Sequence, residues 1–170
     1  MPKQLFLLRH AKSSWDDPTL ADHDRPLSKR GRKAGAALRR LFQSERINPD
    51  LVLVSSALRT LQTLAALGAW EKTPKLEVAP SLYHAPAPQI IDLLRKIPDS
   101  AQAVLLIGHN PGLQDLALLL MGEQEDACAR RLKESYPTGA LAEFALDGPW
   151  SGIDQGSGRL TRFVTPRELK

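Results

Sequence analysis

Cysteine is almost absent from this chain: Cys128 stands alone among 170 residues, so no intrachain disulfide can form and a stapled secreted scaffold is excluded. Aromatic residues make up only 5% of the chain, and the apolar run Leu5 to Leu8 falls far short of a signal-peptide core or a membrane span. No internal repeat, low-complexity tract or block of like charge is visible, which sets aside collagen-like, coiled-coil and disordered classes. These absences lead to the expectation of a cytoplasmic protein with no membrane partner. What is present, 42% apolar residues and 23 Lys plus Arg against 19 Asp plus Glu, suits a single domain over residues 1–170. The net charge of +4 favours an anionic ligand, but basic residues spread along the chain do not demand nucleic acid.

Gln4 to Leu8, Leu51 to Val54, Leu76 to Ala79 and Ala103 to Ile107 are short, apolar and partly β-branched, as buried parallel strands are. Helical spacing separates them. One helix is expected after Ser28 as N-cap, through Ala34, Ala37, Leu38, Leu41 and Phe42; a second runs from Ser56 to near Gly68. A third is expected from about Pro88 to Ile97, and a fourth opens at Asn110 with Pro111 in the first turn and ends before Gly122. Ala140 to Leu146 and Leu160 to Val164 read as further strands, one of them antiparallel, with Gly148 to Gly158 an exposed loop. This pattern predicts an α/β three-layer sandwich: a mostly parallel central sheet, helices on both faces and one antiparallel strand.

Ligands of open α/β sheets bind beyond the carboxyl ends of the strands, so the residues that follow each strand carry the information. The first strand runs into Arg9-His10, the second into Ser55-Ser56 and then Arg59, the fourth into Gly108-His109-Asn110. A lone Arg is commonly a solvated charge and a lone His commonly hydrogen-bonded scaffolding. Two guanidiniums and two imidazoles converging on one rim are a different matter. Arginine offers a fixed fork of donors for phosphate oxygens, and the helix N-terminus expected at Asn110 adds unpaired N–H groups. A metal would be repelled by the guanidiniums and finds no carboxylate or thiolate at ligand spacing beside either histidine.

Other phosphate chemistries fail on the sequence. No Gly-x-x-x-x-Gly-Lys-Ser/Thr loop is present, and Glu134 stands six residues after Cys128 where a cysteine-based phosphatase loop needs Arg. Asp22-His23-Asp24 follows no apolar strand and reads as a solvated turn rather than a carboxylate nucleophile. An imidazole nucleophile remains: His10 or His109 attacks phosphorus while the other charged groups hold the equatorial oxygens.

Leu8-Arg9-His10-Ala11-Lys12-Ser13-Ser14-Trp15 resembles the Arg-His-Gly signature of the histidine phosphatase superfamily, and is most similar to its small phosphohistidine phosphatase, or SixA-like, branch. Arg25 to Gly31, Ser55 to Thr63, Gly108 to Gly112 and Tyr136 to Ala140 match further motifs in the family's order. The resemblance implies a phosphoglycerate mutase-like fold, no metal or organic cofactor, and His10 as the phosphorylated nucleophile with Arg9, Arg59 and His109 around the phosphate. Ser14, Asp16 and His84 are candidate substrate contacts; for Ser13, Ser14 and Asp16 alike, turn or capping duty is an equal reading. Nearby guanidiniums are expected to keep His10 neutral.

Two departures matter. Ala11 replaces the signature Gly, and Ser81 to Pro86 holds no Asp or Glu where many members carry a proton-donating carboxylate. His84 can take that role, or an imidazole leaving group needs little help, which favours N–P over O–P hydrolysis. The short segment after Ala79 leaves no room for a lid insertion, so an open site for a phosphorylated protein is expected. The alternatives are a small phosphorylated substrate of a phosphomonoesterase, or a non-catalytic phosphoresidue-binding module. Trp15, Trp70 and Trp150 are expected to serve packing.

Overall fold

The computed structural model describes residues 2–169. The chain runs β1 (Lys3–Arg9), α1 (Lys29–Ser44), β2 (Leu51–Val54), α2 (Leu58–Ala66), β3 (Lys75–Val78) and α3 (Ala87–Arg95). It continues through β4 (Ala103–Gly108), α4 (Gly112–Met121), α5 (Ala127–Glu134), β5 (Leu141–Leu146) and β6 (Gly158–Val164). All six strands form one sheet in the order β3-β2-β4-β1-β5-β6. β1 to β4 pair in parallel, and β5 is antiparallel to both β1 and β6, so one strand runs against the rest. The three-layer α/β architecture with a mostly parallel sheet is therefore as the sequence pattern implied.

Alternation along the buried strands divides the core in two. Phe6, Leu8, Val52, Val54, Leu105 and Ile107 pack with Leu38 and Phe42 of α1 on one face. Leu5, Leu7, Leu53, Val104 and Leu106 pack with α3, α4 and α5 on the other. The chain leaves β1 toward β2 and β4 toward β5, in opposite directions across the sheet, and the helices that follow pack on opposite faces, α1 on one and α4 and α5 on the other. Neighbouring strands whose helices diverge leave a crevice at their carboxyl ends, here between β1 and β4. Residues 79–86 alone connect β3 to α3.

Several elements differ from expectation. β3 is an exposed edge strand rather than a buried one, with Leu76 and Val78 each 53% exposed, because it pairs only with β2. α4 begins at Gly112, not Asn110; Asn110 Oδ1 still accepts the N–H of Gln114, at 3.1 Å. α5 was not anticipated, since it buries only Ala129 and Leu132 and its clearest signal is the N-cap Asp126, which accepts from Ala129 N at 3.0 Å. Within the expected exposed loop at 148–158, Trp150 is wholly buried in the α3 face and its indole N–H donates to Ala101 O at 2.8 Å. An isolated aromatic anchor in a turn-rich stretch has no period by which to be recognised. Trp150→Ala removes both that volume and that hydrogen bond and is expected to lower the unfolding free energy by about 3–5 kcal/mol, measured by urea denaturation.

Candidate active site

Backbone hydrogen bonds set the two signature histidines side by side. β1 pairs with β4 in the register that places Arg9 against Gly108, and His10 N–H donates to Gly108 O at 3.1 Å. The His10 and His109 rings lie 5.3 Å apart between centroids. Gly139 N–H braces the same turn by donating to both Arg9 O (3.0 Å) and His10 O (2.9 Å). Ala11 N–H donates to Thr63 Oγ1 at 3.0 Å, and that hydroxyl donates to Arg59 O at 2.7 Å, so α2 and the His10 turn hold one another. Lys12 O accepts from Ser28 N and lies so close to Gly31 that a Cβ there would approach it to 2.1 Å. Ser28 is the N-cap of α1, accepting from Gly31 N at 3.0 Å.

The protonation pattern of His10 follows from its partners. A carbonyl oxygen only accepts, so the 2.7 Å contact to Ala11 O assigns the ring proton to Nδ1 and leaves the lone pair on Nε2. Burial lowers the His10 pKa to about 4, the Ala11 carbonyl opposes this, and Arg59, Arg9 and Arg25 reinforce it. Burial, more than the guanidiniums alone, keeps the ring neutral. His109 is lowered to about 3 by burial first, then by His10 and Arg59. Its Nδ1 lies 3.4 Å from the Arg59 guanidinium, which only donates, so His109 Nε2–H donates to Ser55 Oγ at 2.8 Å.

Arg59 is buried at the centre. Its Nε donates to His10 Nε2 at 3.4 Å, and its other nitrogens donate to Asp22 O (2.8 Å) and Asp22 Oδ2 (3.0 Å). Asp22 Oδ2 also accepts from Tyr83 Oη at 2.5 Å and from His84 Nε2 at 3.1 Å. Burial opposes ionisation of Asp22, but the hydrogen bonds from Tyr83, His84 and Arg59 outweigh it and hold the carboxyl far below the usual carboxylate range. Asp22 is thus a permanent anion, and the reading of Asp22-His23-Asp24 as a solvated turn is corrected. The segment is a 3₁₀ turn whose first carboxylate ties Arg59 to the loop carrying His84. Sequence patterns missed it because a lone Asp beside no strand carries no local signal.

A third guanidinium joins the two expected. Arg25 is buried, donates to Ser13 Oγ at 2.6 Å, stands 3.4 Å from Asp22 Oδ1 without the alignment of a hydrogen bond, and stacks on Trp15. Arg9 donates to Tyr136 O at 2.9 Å, while its Nε and the Nε and Nη1 of Arg25 are buried without a hydrogen-bond partner. Unpaired buried donors are costly, and oxygens of a dianion would satisfy them. The cavity, about 260 Å³, is lined by Arg9, His10, Arg25, Arg59, His109 and His84 among others. Among the described residues, no group of three or more His, Cys, Asp or Glu is arranged to hold a metal ion.

The remaining candidates are placed unevenly. His84 lines the cavity, stacks at 5.5 Å and 4° on His109, and holds φ +54°, a left-handed backbone that a non-glycine residue adopts at a cost. Ser14 and Asp16 do not line it; Ser14 Oγ accepts from Asp16 N at 3.1 Å within a turn, and Ser13 faces the cavity instead. Trp15 is not a packing residue: it is 75% exposed at the cavity mouth, over the Arg25 guanidinium.

This constellation can now be set beside known proteins. The family model for the histidine phosphatase superfamily (branch 1) matches residues 5–83. An uncharacterised protein of Mycobacterium tuberculosis is 36% identical over 162 residues, covering 94% of this chain and all of that one. The phosphohistidine phosphatase SixA of Escherichia coli is 26% identical, over 98% of this chain and 96% of its own length. A solved structure of the protein histidine phosphatase SixA complexed with tungstate superposes with a TM-score of 0.80 at 25% identity, over 98% of this chain and 99% of that one.

The chain belongs to the histidine phosphatase superfamily. It is a phosphatase of the SixA-like branch, acting on a phosphorylated substrate.

The depressed His10 pKa of this histidine phosphatase makes its stability depend on pH. Above about 6.5 the ring is neutral in folded and unfolded chains; below that the unfolded chain binds the proton first, so stability falls until about pH 4. The His10 share is on the order of 3 kcal/mol. Urea midpoints should decline across that window, and the decline should be shallower in His10→Asn. Asp22→Ala unties Arg59 and is expected to lower kcat/KM on the order of tenfold, read by initial rates.

Proposed function

We propose that this enzyme removes the phosphoryl group of phosphohistidine on a protein through a covalent phosphohistidine at His10. The observation that carries the reading is the bond from His10 Nδ1–H to Ala11 O, which leaves Nε2 unprotonated beside the guanidinium of Arg59.

Nε2 attacks phosphorus in line, the Nε2–P bond forming as the substrate N–P bond breaks. Arg9, Arg25 and Arg59 meet charge on the equatorial oxygens, and His109 stands beside them. The substrate imidazole leaves with its bonding pair and takes up a proton. His84, at the cavity edge and oriented by Asp22, is the side chain placed to supply it. Asp22 itself is too acidic to be the donor. Nδ1 stays bonded to Ala11 O throughout, so the phosphorylated ring carries positive charge against a carbonyl. Water then attacks phosphorus as the Nε2–P bond breaks, its proton passing to the deprotonated His84, which releases phosphate and restores both Nε2 and the donor. The short 79–86 connection supports a protein substrate, since no inserted segment stands there to enclose a small molecule.

The test is brief exposure to a radiolabelled phosphohistidine protein, with acid-labile, base-stable label and released phosphate counted together. Wild type is expected to take up label and release phosphate, and His10→Ala to lose turnover roughly 10⁴-fold with its urea midpoint measured as the folding control. A fully active His10→Ala enzyme overturns the mechanism. Efficient turnover of sugar phosphates with none of phosphohistidine overturns the substrate.

A further inference from the structure

A second, larger concavity of about 810 Å³ adjoins the catalytic cavity, and Lys12 and Thr138 line both. Its other walls are α1 and the segment after β6. Five cations line it, Lys12, Arg30, Lys33, Arg40 and Arg167, and among the described residues no carboxylate does. All five are exposed, and among the described residues none of their side chains makes an ion pair or a hydrogen bond.

This uncompensated charge works against the fold. Arg30, Lys33 and Arg40 lie on one stripe of α1 at spacings of three and seven, with Ala34 and Ala37 between them. α1 holds no acidic residue at all, and its first turn places Lys29, Arg30 and Arg32 at the positive end of the helix dipole. Some cations elsewhere in this protein find acids, as Lys133 finds Glu125 and Arg162 finds Glu143 and Glu45, whereas none of the five in the groove does so among the described residues. The groove floor is apolar, from Ala37, Pro137, Pro166 and Leu169, and holds no aromatic ring on which a base could stack. The groove is also rigidly tied to the site: Ser28 and Gly31 of the α1 entry are packed against Lys12 O, two residues from His10.

We propose that this groove docks an acidic polypeptide segment of the phosphorylated protein, adjacent to the residue whose phosphoryl group enters the catalytic cavity. The proposal rests on the phosphohistidine reading and adds to it a specificity for flanking sequence. A polypeptide fits where a nucleic acid does not, because alternating carboxylates reach the rim cations while aliphatic side chains cover the apolar floor. Attraction between exposed charges of this kind raises encounter rates and is screened by salt.

Two synthetic peptides carrying one phosphohistidine, flanked by Asp and Glu or by Gln and Ser, separate the outcomes, with phosphoramidate as a small substrate that does not reach the groove. For wild type at low salt, kcat/KM for the acidic peptide is expected to exceed that for the neutral one on the order of tenfold, shrinking toward parity in 0.5 M NaCl. Arg30→Glu/Lys33→Glu/Arg40→Glu is expected to abolish the preference and leave phosphoramidate turnover within about twofold. If the triple variant does not fold, Arg30→Gln and Arg40→Gln singly are each expected to reduce the preference about two- to fivefold. Equal turnover of the two peptides by wild type, or a preference that survives charge reversal, overturns the proposal. Should no N–P substrate be hydrolysed, the phosphohistidine reading fails by itself. Anisotropy of the labelled, unphosphorylated acidic peptide still reads the groove: wild type binds and the triple variant does not. A single-stranded oligodeoxynucleotide of the same length binding more tightly than that peptide also overturns it.

Discussion

Parallel pairing of β1 with β4 in a single register governs the chemistry of this protein. With Arg9 set against Gly108, the residues that follow both strands emerge together, and the two imidazoles stand 5.3 Å apart without any side chain having to reach. A slip of one residue would turn Leu5 and Leu7 onto the opposite core and carry His10 away from His109. Register is secured because both faces of β1 are packed in separate hydrophobic clusters. The crevice exists because the helices after β1 and β4 depart to opposite faces, as the strand order sends the chain in opposite directions from these two neighbours.

Electrostatics add a second constraint. Three buried or partly buried guanidiniums converge near two imidazoles, and Asp22 is the carboxylate that answers them. Desolvation disfavours charge on the imidazoles, so they remain neutral beside the guanidiniums, and the cavity is electropositive around unprotonated ring nitrogens. Asp22 anchors Arg59 without neutralising the whole cluster. Its bonds to Tyr83 and His84 link the Arg59 guanidinium to the loop after β3.

Open access to this site has a counterpart outside it. On the proposed reading, a protein-bound phosphoryl group is presented by a surface, and the basic groove that shares Lys12 and Thr138 with the catalytic cavity offers that surface electrostatic complementarity. Trp15 marks another side of the same mouth, exposed over Arg25. Both features lie at the rim of the catalytic cavity rather than beside the imidazoles.

The sequence by itself determined the sandwich and the rim: apolar strand patterns with helical spacing between them place Arg9, His10 and His109 at strand ends and Arg59 in the first helical turn after β2, because strand ends are readable from local period. The edge position of β3, the buried Trp150 and the exposed Trp15 were not legible, since edge pairing and burial depend on neighbours distant in sequence. That Ser13 and not Ser14 faces the cavity is not legible either, because alternation beyond a strand end no longer fixes which side chain points inward. Asp22 and Arg25 were decided by tertiary structure alone. Their partners lie up to 62 residues away, and a carboxylate becomes part of a site through the charges that surround it in space rather than through any pattern in its own segment.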